Sequence, residues 1–263
     1  MSRFLLVVAT LLGKNRAMTP RRLSKCSMDA FGARGKMKEY KLIFIDADDT
    51  LFDYKAAEKY ALTTAFGENG ITINDQIIAA YSQINKQLWL DYENNIISQE
   101  VLRTERFKRL FTKMNVNISE YLFSDTYIKQ LADASFLNSH AEELCIYLHH
   151  KYQLAIITNG ISIVQRKRLQ NSQIKPYIDH LIISEDAKYS KPNIGIFQYA
   201  ETITKFYDKN KMLIIGDSLS SDIPGGINYG IDTCWLNSEN IENTKQINPT
   251  YVVNSLKSII DFL

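Results

Sequence analysis

Apolar residues fall into two patterns along this chain. Short β-branched runs occur at 42–45 and, after residue 150, at 154–157, 181–183, 212–215, 233–236 and 251–253. Helix-length segments of mixed polarity separate the later runs, which is how βαβ units on a parallel sheet read in sequence. Helices are predicted there at roughly 140–151, 161–172, 193–205, 220–229 and 255–262. Residues 53–138 contain no strand-like run. Their apolar positions instead recur at helical spacing, as in Ile77, Tyr81, Ile84 and Leu88 or Phe107, Leu110, Phe111 and Met114. The pattern predicts an α/β core formed by 37–53 and 139–263, interrupted after its first strand by a helical insertion over 54–138.

Composition narrows the partners. The formal charge is +2, but residues 1–40 hold nine Lys/Arg against Asp29 and Glu39. With that +7 removed, the remainder sits near −5, which argues against a nucleic-acid-binding surface. Cys26, Cys145 and Cys234 lie far apart, without zinc-type or disulfide-type spacing. A reducing, cytoplasmic setting is the simplest expectation. No stretch reaches the roughly 18 to 20 apolar residues that span a bilayer, so no membrane association is expected. Residues 1–36 combine a short apolar run with an acid-poor basic stretch, and Met37 stands just before the first strand. They read as a leader or extension outside the fold and without order of their own.

Four groups of residues bear chemistry. Asp46 and Asp48 directly follow the run 42–45 in Asp46-Ala47-Asp48-Asp49-Thr50. A strand ending this way brings two carboxylates to the carboxyl edge of a sheet, where α/β folds bind ligands. Such a pair calls for a bound metal, a shared proton, or both. The plain alternative is a turn with a capping Asp. Thr158, Asn159 and Gly160 follow the second run, where a hydroxyl and backbone N–H groups can hold phosphate oxygens or simply make a turn. Lys191 precedes Pro192, which is expected in the first turn of a helix running through Phe197. Asp217 and Ser218 follow Gly216 at another strand end, with Asp222 five residues beyond; Mg²⁺ favours one or two such carboxylates, while Asp222 could instead cap the helix it opens.

Taken in order, these groups resemble the signature elements of haloacid dehalogenase superfamily phosphohydrolases. The resemblance implies a Rossmann-like parallel sheet with helices on both faces and a helical cap over the site. It implies that Asp46 attacks phosphorus to give an aspartyl-phosphate. Mg²⁺ would touch the Asp46 carboxylate, the Asp48 backbone carbonyl, Asp217 and the phosphate. Asp48 would protonate the leaving oxygen and then activate water. Thr158 and Lys191 would stabilise the phosphoryl group, with weaker roles for Asn159 and Ser218, and Asp222 would orient Lys191 or a metal-bound water.

The acid at Asp48 disfavours carbon–halogen cleavage, because the superfamily's dehalogenases lack one there. Further segments, among them Leu88-Trp89-Leu90-Asp91-Tyr92 and Thr233-Cys234-Trp235-Leu236-Asn237, resemble pyrimidine 5′-nucleotidases of the YjjG and YfnB type. The substrate so implied is a small phosphate ester, a nucleoside 5′-monophosphate with pyrimidine or deoxypyrimidine favoured. A sugar-phosphate phosphatase or a phosphomutase of the same superfamily is the alternative. Trp89 and Tyr92 could stack on a base or pack between cap helices. Cys234 and Trp235 read as core, and Asp49 as a turn or cap residue. A phospho-acceptor receiver domain also uses Asp, Thr and Lys at strand ends, but it is shorter and lacks the Asp-x-Asp-x-Thr spacing and the insertion.

Overall fold

The computed structural model describes residues 38–263; the expectation for residues 1–36 lies outside them. Among the described residues six strands form one parallel sheet: β1 (Leu42–Ile45), β2 (Gln153–Thr158), β3 (His180–Ile183), β4 (Met212–Gly216), β5 (Asp232–Leu236) and β6 (Tyr251–Val253). Their spatial order is β3-β2-β1-β4-β5-β6. The chain builds outward from β1 on one side and then returns to lay β4 against its other edge. The carboxyl ends of β1 and β4 therefore flank the topological switch point, where a ligand crevice opens in such sheets.

Both faces of the sheet are covered, which explains the continuous apolar runs. Ile43, Ile45, Leu154, Ile156, Leu213 and Ile215 join one buried cluster with Leu144 of α5 (Ala141–His149) and Leu256 of α10 (Leu256–Ile260). The alternate residues Leu42, Phe44, Ala155, Ile157, Met212 and Ile214 join another. That second cluster includes Ile196 and Phe197 of α8 (Ile194–Thr204) and Tyr229 of α9 (Asp222–Tyr229). The remaining core helices are α6 (Ser162–Gln170) and the short α7 (Ser184–Ala187). Pro192 falls outside the helix predicted to contain it. The helix starts at Ile194, because the Asn193 side chain accepts from the Gly195 amide and sets the cap there.

Between β1 and α5 lie four helices: α1 (Tyr54–Glu68), α2 (Asp75–Glu93), α3 (Gln99–Met114) and α4 (Glu120–Asp133). Asp53, Asn74, Ser98 and Ser119 cap them by accepting from the amide three residues on. Their apolar faces enclose a separate cluster in which Phe107 has ring contacts with Tyr81, Phe111, Phe123 and Tyr127. Ile161 and Val164, at the start of α6, complete that cluster from the core side.

Candidate active site

Register brings the first and last chemical groups together. Ile45 pairs with Ile215, and the Asp46 amide donates to the Ile215 carbonyl at 2.9 Å, so Asp46 and Asp217 leave adjacent strand ends side by side. Oxygens of Asp46, Asp217 and Asp222 lie within 4.8 Å of one another. The loop after β1 is no simple capped turn. Leu51 and Phe52 both donate to the Ala47 carbonyl, Asp49 takes a left-handed φ of 60°, and the cap of α1 belongs to Asp53. Thr50, fully buried in this loop, donates from its hydroxyl to Asp217 Oδ1 at 3.1 Å.

Lys191 is the pivot of the cluster. Its ammonium donates to Asp46 Oδ1 at 2.5 Å, to Asp222 Oδ1 at 2.6 Å and to the Ile157 carbonyl at 2.6 Å, which commits all three of its protons. Burial pushes the Lys191 pKa down, but the charges of Asp222 and Asp46 outweigh it and the net shift is upward. Asp222 is not the helix cap it could have been: its other oxygen accepts from the Ser218 amide at 3.1 Å, and the residue is 1% exposed. Gly216 makes room for it, since a Cβ there would sit 2.3 Å from Asp222 Oδ2. Ser218 shapes the loop by accepting from the amides of Ser220 and Ser221. Trp235 is buried as expected, and its indole N–H also anchors the Asp217 carbonyl at 2.9 Å. Cys234 is fully buried.

One expected pairing comes out differently. Asp46 and Asp48 do not share a proton: Asp46 pairs with Lys191, whereas Asp48 turns to the Arg168 guanidinium and to Gln165 Nε2 at 2.6 Å. Each carboxylate found its own cation, and the Asp48 side chain is outside the acidic trio. Asn159 braces Lys191, donating one N–H to the Lys191 carbonyl at 2.9 Å and accepting from the Lys191 amide at 2.8 Å. A carboxamide matches a peptide on both sides, so it locks the lysine backbone with one N–H and its oxygen, and the second N–H takes no part in that pair. Thr158 is buried at the end of β2; its oxygen accepts from the Gly160 amide at 3.0 Å, which leaves the hydroxyl proton free to be donated.

Trp89 and Tyr92 are half-buried on α2 and meet edge to face, 5.7 Å between centroids. Neither joins the four-helix cluster. Glu93, on the same helix, accepts from the Ser220 hydroxyl at 2.9 Å, so this face of α2 reaches the loop beyond Asp217. Burial, with the charge of Asp222, raises the Glu93 pKa. Glu93, Gln165 and Arg168 had no sequence signal: each is a polar residue on a helix, a type that is ordinarily solvated.

The donor set fits a divalent cation. Mg²⁺ takes hard oxygen ligands and is held by one or two protein carboxylates, and this trio offers carboxylate oxygens within 4.8 Å of one another. One lysine balances three carboxylates. Burial, then Asp222, pushes Asp217 up to about 8, and burial with the Asp222 charge drives Asp46 well above its usual range against the pull of Lys191. Among the described residues Asp46 Oδ2 accepts no hydrogen bond, so one oxygen of that carboxylate stays open.

Fold and site together define a doubly covered parallel α/β protein with an acidic centre at the switch point of its sheet. A model of haloacid dehalogenase-like hydrolases matches residues 40–230, and the chain belongs to that family as a phosphoric monoester hydrolase. Pyrimidine 5′-nucleotidase PynA of Streptococcus pneumoniae is 37% identical over 225 residues, 85% of this chain and 95% of that protein. Pyrimidine 5′-nucleotidase YjjG of Escherichia coli is 34% identical over 221 residues, 84% and 96% of the two chains. The magnesium-bound crystal structure of the HAD-hydrolase YfnB from Bacillus subtilis matches with a TM-score of 0.81 at 32% identity, covering 85% of this chain and 98% of that one. No helix among the described residues is long and apolar enough to cross a membrane.

Proposed function

We propose that the protein hydrolyses nucleoside 5′-monophosphates, pyrimidine and deoxypyrimidine forms preferred, through a phosphorylated Asp46. The observation that carries this reading is the open oxygen of Asp46, held by Lys191 beside Asp217 and Asp222. Asp46 Oδ2 attacks phosphorus, the P–O5′ bond breaks with its electron pair going to O5′, and Asp48 gives that oxygen a proton. A water then attacks the phosphoryl group and returns a proton to Asp48 as the P–O bond to Asp46 breaks, releasing inorganic phosphate. Thr158 donates its free proton to a phosphoryl oxygen. Lys191 acts by charge at short range, because all its donors are engaged unless one is released to the substrate.

Asp46 and Asp217, with the Asp48 backbone carbonyl, are the residues that would hold Mg²⁺; bound there it supplies charge that keeps Asp46 ionised and offsets repulsion from the phosphate dianion. The four helices 54–133 act as the cap of residues 54–138 and shield the site from water. Trp89 and Tyr92, on the helix that touches Ser220 through Glu93, are the residues to stack on the base. The buried free thiols Cys145 and Cys234 support work in the reducing cytoplasm.

Incubation with Mg²⁺ and a panel of dUMP, dTMP, UMP, AMP and phosphosugars, followed by phosphate assay, tests the substrate. The expected result is release from the pyrimidine nucleotides foremost. Release confined to phosphosugars, or interconversion without release, contradicts it.

A further inference from the structure

Both oxygens of Asp48 are held by one face of α6. Gln165 Nε2 donates to Oδ2 at 2.6 Å and the Arg168 guanidinium donates to Oδ1; the two donors lie three positions apart, one helical turn. Neither donor is free to wander. Arg168 is fully buried, its Nε donates to the Ala134 carbonyl at 3.1 Å, and its guanidinium lies 4.7 Å over the Phe52 ring. Gln165 is 2% exposed and fills the space that a side chain on Gly160 would need, since a Cβ there would meet its Nε2 at 2.1 Å. Phe52 bridges back to Asp48 within the same loop, so the guanidinium packs on that loop while binding its acid.

A wholly buried arginine is a costly way to stabilise a fold, because desolvation offsets most of the attraction to its partner. Its partner here keeps a quarter of its side chain exposed, with relative accessibility 26% against 0% for Arg168. The rigid donor is inside and the carboxylate is at the edge of the site. We propose that Arg168 and Gln165 are positioning residues that set the orientation from which Asp48 exchanges its proton. The proposal rests on the reading of Asp48 as the acid–base group and adds the residues that aim it.

Leaving-group chemistry separates this role from a merely structural one. A nucleoside alkoxide needs a proton as it departs, whereas p-nitrophenolate departs without one; the second half of the reaction needs Asp48 for both. Arg168→Met and Gln165→Met in the full chain with Mg²⁺ are compared with the parent on dUMP and p-nitrophenyl phosphate, in steady state and in the first turnover. For Arg168→Met, kcat on dUMP should fall at least about tenfold with KM within about twofold, a part of the 10²–10⁴-fold that a placed acid–base group contributes. On p-nitrophenyl phosphate a burst of about one nitrophenolate per site should persist near the parental rate and give way to slow turnover. Arg168→Lys, which keeps one charged donor, should recover part of the loss. If Arg168→Met fails to fold by circular dichroism, Gln165→Met carries the test with the same split at smaller size.

Equal losses on both substrates with a diminished burst, or no loss in either variant, overturn the proposal. Asp48→Asn keeps it distinguishable from its premise. If that variant retains parental turnover the acid–base reading itself fails; if it is inactive while the Arg168 and Gln165 variants are parental, only the positioning role fails.

Discussion

Lys191 donates to Asp46 across 2.5 Å although 145 positions separate them. Because Asp222 shares the same ammonium, the lysine is at once the clamp of Asp46 and the counter-charge of the loop after β4. Lys191→Met would leave two buried carboxylates without their cation. It should lower stability by about 3–5 kcal/mol and abolish phosphate release. Thermal melting and a phosphate assay check this, and a variant that melts like the parent contradicts the clamp.

The acidic trio makes the metal-free protein sensitive to pH. Folding raises the Asp217 pKa from 3.8 to about 8, chiefly by burial, so its contribution to stability is fully present below the ordinary carboxylate range and is lost as pH rises through about 8. The metal-free melting temperature should therefore fall as pH rises from about 5 to about 8. Mg²⁺, which needs the ionised carboxylates, should raise it more at about pH 8 than at about pH 6. In Asp217→Asn both trends should flatten; unchanged slopes in a melting series would contradict the assignment.

Gly216 is required by a near approach, not by backbone freedom. A Cβ at that position would lie 2.3 Å from Asp222 Oδ2 and push the carboxylate off Lys191. Gly216→Ala should cost about 1–3 kcal/mol and reduce turnover more than stability alone explains. Melting and phosphate release measured together decide it, since parental values in both would mean that the loop absorbs the methyl group.

Under the proposed function the half-buried face of α2 would bear on specificity. Trp89→Ala should raise KM for dUMP about tenfold, the scale of one lost base–aromatic stack, with kcat within about twofold and no change on ribose 5-phosphate. An equal effect on both substrates would place Trp89 in the packing of the helix instead.

Strand ends were the legible part of this chain. Asp46, Thr158 and Asp217 each follow an apolar run buried on both faces, so reading the runs located the sheet edge and the side chains that meet there. Lys191 was legible through its place between the β3 and β4 runs. What escaped were contacts made by polar residues on helices. Arg168 and Gln165 look like any solvated helical face until the fold turns that face toward Asp48, and Glu93 looks like a helix terminus until Ser220 is beside it. The pairing of Asn159 with the Lys191 peptide has no local signal either, because its position says nothing about which backbone the fold will lay beside it. The separate destinations of Asp46 and Asp48 were equally invisible, since each depends on a cation from a different element.

Under the proposed mechanism Asp46 itself carries the phosphoryl group. Acid quenching within the first turnovers on dUMP, followed by peptide mass spectrometry, should find a phosphoryl adduct on the peptide containing Asp46 and none in Asp46→Asn, which should fold like the parent and release no phosphate. Unmodified Asp46 in actively turning-over protein, or undiminished phosphate release by Asp46→Asn, would contradict the account.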